Sequence, residues 1–353
     1  MIKALFRYPE KKKPAISEKE LILKENSLSE NEFTFIFDMI LLHIPKLNSL
    51  KIISNNLSGN IFTTKFISFL KLLKNLNHLD LTDNKITDED IKPFSEFLKA
   101  NKSIKTLLLN NNKMTSTAGF FIADALNKNV SLQKLSLNSN EIIGSGLESL
   151  LNVISNNSTH SLIHLCLGDN KFQNEEFNQI ASFFSSNPPL QVIDLSNNAI
   201  NCEWSDILGV NLKKAKQLKC LRLNNTKLND ESGPQILNCI HETNIEEIEL
   251  DMNIFEESGP FVIMNKIRKA MSVKKLSLKR CGMTPEFLNI IAENIIDNNN
   301  LKEINLEGND FEGEVFIKFC ESIKDKSTTK VLFTKDLLLG NIKDILNENI
   351  ILM

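Results

Sequence analysis

A nine-residue pattern, apolar at its first, fourth and sixth places and closed by asparagine, recurs along this chain and constrains its fold more than any other feature. It reads Leu76-x-x-Leu79-x-Leu81-x-x-Asn84, then Ile104/Leu107/Leu109/Asn112, Leu132/Leu135/Leu137/Asn140, Leu162/Leu165/Leu167/Asn170 and Leu190/Ile193/Leu195/Asn198. Four further copies follow at Leu218/Leu221/Leu223/Thr226, Ile245/Ile248/Leu250/Asn253, Val273/Leu276/Leu278/Cys281 and Leu301/Ile304/Leu306/Asn309. A divergent opening copy, Leu47/Leu50/Ile52/Asn55, and a decayed closing one around Val331 and Phe333 bring the total to about eleven, spaced by 27 to 30 residues. A period of that length means a stack of like units, each burying its neighbour's apolar face.

The pattern explains its own residue types. Leu79 and Leu81 alternate with Asp80 and Thr82, so a short strand turns one side to the core and the other to solvent. The closing asparagine can offer its amide to backbone groups where the chain leaves the strand, and Thr226 and Cys281 should keep that turn with a weaker ladder. Two places later an apolar plug follows, as at Ile86, Met114, Ile142 and Phe172. The apolar period then changes from two to about 3.6, as in Leu147, Leu150, Leu151 and Ile154, which predicts a helix of about three turns. Acidic and hydroxyl residues such as Thr87-Asp88-Glu89-Asp90 open these helices, where they suit orphan amides and the helix dipole.

At this level of detail the unit resembles the leucine-rich repeat, in the long form typified by ribonuclease inhibitor and shared by the Ran GTPase-activating protein. The resemblance covers about residues 46–336. It implies an α/β fold, a right-handed horseshoe solenoid of about 11 repeats with parallel strands on the concave face and helices on the convex one. The domain organisation expected is an N-terminal segment and helical cap over 1–45, the array over 46–336 and a C-terminal cap over 337–353. The opening cap rests on the capping box Ser29-Glu30-Asn31-Glu32 and the apolar run from Phe33 to Leu42, ended by Pro45. The closing cap rests on Leu337, Leu338, Leu339, Ile342, Ile345, Leu346, Ile350, Ile351 and Leu352.

Composition excludes several functions. With 41 basic and 44 acidic residues the net charge is -3, far from the basic balance of a nucleic-acid binder. No apolar stretch approaches a membrane span or a secretory core, so a cytoplasmic monomer is expected. The six cysteines are scattered without metal-site or redox spacing, so neither a metal nor a cofactor is implied. His164 and Cys166 share one side of a strand with Asp194 expected nearby, yet no oxyanion hole accompanies them, and no catalytic residue is assigned. Family resemblance raises a GTPase-activating role as the alternative function, but none of the four arginines, Arg7, Arg222, Arg268 and Arg280, matches a catalytic motif.

The reading is therefore a non-catalytic protein–protein interaction scaffold that holds a macromolecular partner on its concave strand surface. Candidate partner-binding residues are His78, Asp80, Leu108, Asn110, Ser136, Asn138, His164, Cys166, Val192, Asp194, Arg222, Glu247, Glu249, Asp251, Lys275, Lys279 and Arg280. In-register stacking would put Glu247, Lys275 and Glu303 in one row of alternating charge, and Asp251, Lys279 and Glu307 in another. Trp204 is expected to wedge between repeats. Leucine-rich-repeat proteins of intracellular bacteria that work inside host cells often have this bare form, and 45 asparagines and 37 lysines are compatible with such a source. Another AT-rich source would give the same composition, so two alternatives stay open: a cytoplasmic protein of its own cell, or a secreted effector with a host protein as partner, acting in host cytoplasm in a virulence role.

Overall fold

Between most neighbouring repeats the strand pairing spans three residues centred on the fourth pattern place, so the strands are short, and a helix follows most of them. The computed structural model describes residues 15–16, 19–25, 27–44, 46–256, 258–296, 298, 300–311, 313–323, 327–334 and 349–352. They belong to two units, Met1–Lys171 and Phe172–Met353.

In the first unit β1 (Ala15–Ile16) runs antiparallel to β2 (Glu20–Lys24), and β2 starts a parallel series. The series continues through β3 (Ser49–Ile53), β4 (His78–Asp80), β5 (Thr106–Leu108), β6 (Lys134–Ser136) and β7 (His164–Cys166). Its register aligns Leu21, Leu50, Leu79, Leu107, Leu135 and Leu165. Helices Glu30–His43, Asp88–Ala100, Ser116–Leu126 and Gly144–Asn156 alternate with these strands. The second unit carries β8 (Val192–Asp194), β9 (Cys220–Arg222), β10 (Glu247–Glu249), β11 (Lys275–Ser277), β12 (Glu303–Asn305), β13 (Lys330–Phe333) and β14 (Ile350–Leu352), parallel throughout. Its helices include Asn174–Ser185, Cys202–Leu212, Gly259–Lys269, Glu286–Ile296 and Gly313–Ile323. Strands β3 to β13 are the eleven copies of the sequence pattern.

The core is the set of pattern residues. Leu79, Leu81, Leu135, Leu137, Ile248 and Leu250 are fully buried, each contributing about 1.5–3 kcal/mol relative to exposure. The asparagines form the expected ladder. Asn140 Nδ2 donates to Leu109 O of the preceding repeat and to Leu137 O and Asn138 O of its own, each at 3.1 Å, while its Oδ1 accepts from Met114 N at 3.3 Å. Asn84, Asn112, Asn170, Asn253 and Asn309 bond in the same manner. In the substituted repeats Thr226 Oγ1 donates to Leu223 O and Cys281 Sγ to Leu250 O, so each spans fewer backbone groups than asparagine does.

The residue before each ladder position is left-handed: Ser54, Asp83, Asn111, Ser139, Asp169, Asn197, Asn225, Met252, Arg280 and Gly308 all have φ between 50° and 70°. Short polar side chains and glycine tolerate that conformation. Met252 and Arg280 are the bulky exceptions.

Some of the acidic residues that open helices reach across to the next repeat. Thr87 and Asp90 form a capping box on their own helix, but Asp88 accepts from Thr115 N at 2.8 Å and Ala118 N at 3.2 Å, one repeat on. Asp230 likewise accepts from Glu256 N and Ser258 N. The helix dipole of one repeat is thus met by its neighbour's carboxylate.

Two helices depart from three turns. Ile61–Phe66 is π-wound before the short α-helix Ile67–Leu70, and Ser232–Ile236 has only five residues. The latter lies in the most closely spaced repeat, where 27 residues separate Leu218 from Ile245, leaving less chain for a helix. At the start, Ser29 and Glu32 form the expected capping box, and β2 adds fully buried Leu21 and Leu23 ahead of the first sequence copy. At the end, Ile350–Leu352 is a strand on β13. Pro45, Leu337, Leu338, Leu339, Ile342, Ile345 and Leu346 lie outside the described residues.

Candidate functional site: the strand faces

Strands β4 to β12 each contribute two side chains, on either side of a central buried leucine or isoleucine, to the face opposite the helices, and parallel register repeats them about every 4.8 Å. In the first unit these include His78 and Asp80 on β4, Thr106 and Leu108 on β5, Lys134 and Ser136 on β6, and His164 and Cys166 on β7. Asn110 and Asn138 follow in the turns.

Their exposure is uneven, which corrects the sequence expectation for three of them. Asp80, Ser136 and Cys166 are buried, at 8 %, 3 % and 4 % exposed. Asp80 lies between Lys51 and Leu108, and Ser136 between Leu108 and Cys166. Asp80 Oδ1 also accepts from Thr82 N, and Ser136 Oγ donates to Asn110 Oδ1. Asn110 and Asn138 bind the neighbouring turns, accepting from Asn138 N and Gly168 N respectively. His78, Leu108, Asn110, Asn138 and His164 remain partly exposed. Burial and the Lys51 ammonium push the His78 imidazole below its ordinary pKa.

In the second unit Val192 and Asp194 on β8 stand beside Cys220 and Arg222 on β9, and these beside Glu247 and Glu249 on β10. Glu247, Lys275 and Glu303 share one register row. Ion pairs run along the face: Arg222 Nε to Glu249 Oε1 at 2.8 Å, Lys275 to Glu303 at 3.7 Å and Lys279 to Glu307 at 2.5 Å. Asp251 Oδ1 accepts from Lys279 N, which ties the turn row together. Arg280 is exposed. Around Glu247, Glu249, Asp251, Lys275, Ser277 and Lys279 the face hollows into a pocket of about 260 Å³.

Not all of this charge is compensated. Burial pushes the Glu247 carboxyl above its ordinary pKa, reinforced by Glu249, and burial does the same to Asp251. Sequence reasoning missed Cys220, whose thiol lies with the Glu247 and Glu249 carboxylates within 4.8 Å. Its only sequence signal was its strand place, equivalent to Glu247. Burial pushes that thiol up to about 12, and the partner holding Glu249 is a guanidinium, so the trio is an electrostatic knot and not a convincing ligand set.

Two outcomes follow for this face. Lys275→Glu should cost about 1 kcal/mol or less at moderate salt, because exposed pairs contribute little, and the loss should shrink as salt screens the row. Adding Glu247→Lys and Glu303→Lys should recover most of it in thermal melts; a triple variant no better than the single one would mean the row does not interact. For Glu247 the sign is set by its raised pKa: the folded state holds the proton more tightly, so ionisation at neutral pH opposes folding. Glu247→Gln should therefore stabilise the protein at pH 7, with the gain vanishing as pH falls below the ordinary glutamate range. Denaturation at both pH values checks this, and a pH-independent difference would contradict it.

Trp204 lies off this face. It is buried, its Nε1 donates to Asn174 Oδ1 at 2.9 Å and its ring stacks on Phe177 at 6.3 Å, joining successive repeats as the wedge expected of it.

Comparison with known proteins agrees with this architecture. A family model described as Leucine Rich repeat matches residues 73–95 and 128–151. The crystal structure of the leucine-rich repeat-containing protein LegL7 from Legionella pneumophila aligns at a TM-score of 0.57 and 16 % identity, covering 87 % of this chain and 98 % of that one. A structure described as Leiomodin-1 Actin-Binding Site 2 aligns over 53 % of this chain and 90 % of its own, at 17 % identity and a TM-score of 0.36. No curated protein sequence matches. The likeness to LegL7, at 16 % identity, bears on fold alone.

Proposed function

Because the chain is a leucine-rich-repeat protein, we propose that it is a non-catalytic protein–protein interaction scaffold whose strand faces hold a macromolecular partner. The observation that carries this reading is the division of labour within each repeat. Core places are almost uniformly leucine or isoleucine and fully buried, whereas strand-face places vary from Leu108 and His164 to Arg222, Glu247 and Lys275. A rigid core displaying varied side chains at fixed spacing suits recognition, since preorganised groups lose little freedom on binding. Partners drawn to the second unit's charged face should associate faster at low salt.

A GTPase-activating role is less well supported, because Arg222, the arginine on a strand, is engaged by Glu249. Purified protein should leave GTP hydrolysis by a panel of small GTPases unchanged; stimulation lost on Arg222→Ala or Arg280→Ala would reverse this ranking. The place of action we propose is the cytoplasm of a eukaryotic host. Its support is the asparagine- and lysine-rich composition and the fold shared with a Legionella pneumophila protein. Among the described residues no helix is long and apolar enough to cross a membrane.

Capture from eukaryotic and bacterial lysates, run in parallel with wild type and with Leu108→Glu and Arg222→Glu variants, tests the reading. A saturable partner retained by wild type and lost from a folded strand-face variant supports it. Partners bound equally by all three would contradict it.

A further inference from the structure

A groove of about 590 Å³ opens away from the strand face of the first unit, where the helix Asp88–Ala100 ends beside the short helix Ile67–Leu70. It originates in a mismatch between neighbouring repeats. The turn Ile61–Phe66 is π-wound, and i→i+5 winding packs more residues into each turn than an α-helix does. The first repeat's helix therefore advances less along its axis than the thirteen α-helical residues beside it. Pro93, Glu96, Phe97 and Ala100, at helical spacing on one stripe, line the resulting opening.

Two characters meet there. Its floor is apolar, made by Leu70, Leu73 and Phe97, and Leu72 stands beside it 59 % exposed. Its rim is cationic: Lys71, Lys74 and Lys102 are exposed. Glu96, the acid on the lining, is taken by Lys99 at 2.5 Å. Lys74 Nζ donates to the Lys71 carbonyl, and among the described residues none of the three rim lysines has a carboxylate partner. The loop below is stiff, since Asn101 Oδ1 accepts from Ser103 N and Ile104 N and Asn129 Nδ2 donates to Asn101 O, so the groove is preformed.

We propose that this groove is a second docking surface, distinct from the strand face, and that it receives an acidic amphipathic segment of a protein partner. Charge complementarity selects the occupant: apolar side chains cover Leu72 and enter over the floor, while flanking carboxylates meet the three ammonium groups. Recognition of this kind uses apolar anchors at helical spacing, with opposite charges steering the approach. A small inorganic anion would satisfy the rim and leave Leu72 exposed.

The test titrates the full-length, isotope-labelled chain with two short peptides that share a leucine stripe at helical spacing, one filled with glutamate and the other with lysine. The glutamate peptide should shift amide signals of residues 70–74 and 96–103 saturably, and more weakly as salt rises. The variant carrying Lys71→Glu, Lys74→Glu and Lys102→Glu, all at exposed positions, should bind it about tenfold more weakly or worse with an unchanged melt. Equal binding of the lysine peptide, shifts elsewhere in the chain, an unaffected triple variant, or no saturable binding would each overturn the proposal. Dodecyl phosphate serves as a parallel arm: if it alone fills the groove, the site takes an anionic lipid and the protein-segment assignment is wrong. Retention of the strand-face partner by the triple variant separates this result from failure of the scaffold reading.

Discussion

Gly146→Ala should destabilise the first unit by about 3 kcal/mol or more, since overpacking against fixed backbone cannot relax through a rotamer change. A Cβ at Gly146 would fall 1.9 Å from Ser116 O and 2.6 Å from Ser116 C, and one at Gly119 would meet Gly146 backbone atoms at 2.7 Å. The helices Ser116–Leu126 and Gly144–Asn156 are therefore held in backbone contact, and Ser116 Oγ accepts from Gly146 N across it. Gly144 supplies the control two residues away: it has φ +54° with nothing within 4 Å of an added Cβ, so Gly144→Ala should cost only about 1 kcal/mol from backbone conformation. Urea denaturation of the two variants decides the matter. Similar losses would mean that the helices separate at little cost.

Asn140→Ala should cost about 3 kcal/mol, because it strips partners from several buried backbone groups at once. Asn140 is 4 % exposed and ties Leu109, Leu137 and Asn138 carbonyls to the Met114 amide. Alanine leaves a space into which no neighbouring side chain supplies those bonds. Asn138→Ala is the comparison. Asn138 is half-buried and accepts from Gly168 N, so water can replace the lost contact and the expected cost is about 1 kcal/mol or less. Equal costs at the two positions would show that the ladder does not carry the stability assigned to it.

The core and the ladder were legible because each repeat states them again: Leu79, Leu107 and Leu135 align in the sheet as they do in sequence. The charge rows followed from the same register, which aligns Glu247, Lys275 and Glu303, with Lys275 ion-paired to Glu303. Lateral packing was less legible. Asp80, Ser136 and Cys166 have the alternation of exposed residues, yet all three are buried in the stacked structure. The left-handed turn residues left a trace in the run of serine, aspartate and asparagine before the ladder, but Met252 and Arg280 break that trace while keeping the conformation. Asp88 reads as a cap for its own helix, and only the stacked structure shows it serving the next one. The same holds for the knot of Cys220, Glu247 and Glu249, in which Cys220 lies 27 residues before Glu247 in sequence and meets the two carboxylates through the register.

Lysine acetylation footprinting of the chain, with and without a captured partner, distinguishes binding on the strand faces from binding on the helices. Lysines on both sides of the repeats report. Lys134, Lys275 and Lys279 stand on strands or the turns after them, whereas Lys92, Lys266 and Lys318 stand on helices. A partner held on the strand faces slows acetylation of the first group, in whichever unit it contacts, and leaves the second group unchanged. Protection confined to Lys92, Lys266 or Lys318, with the strand-face lysines as reactive as in the free chain, would contradict it.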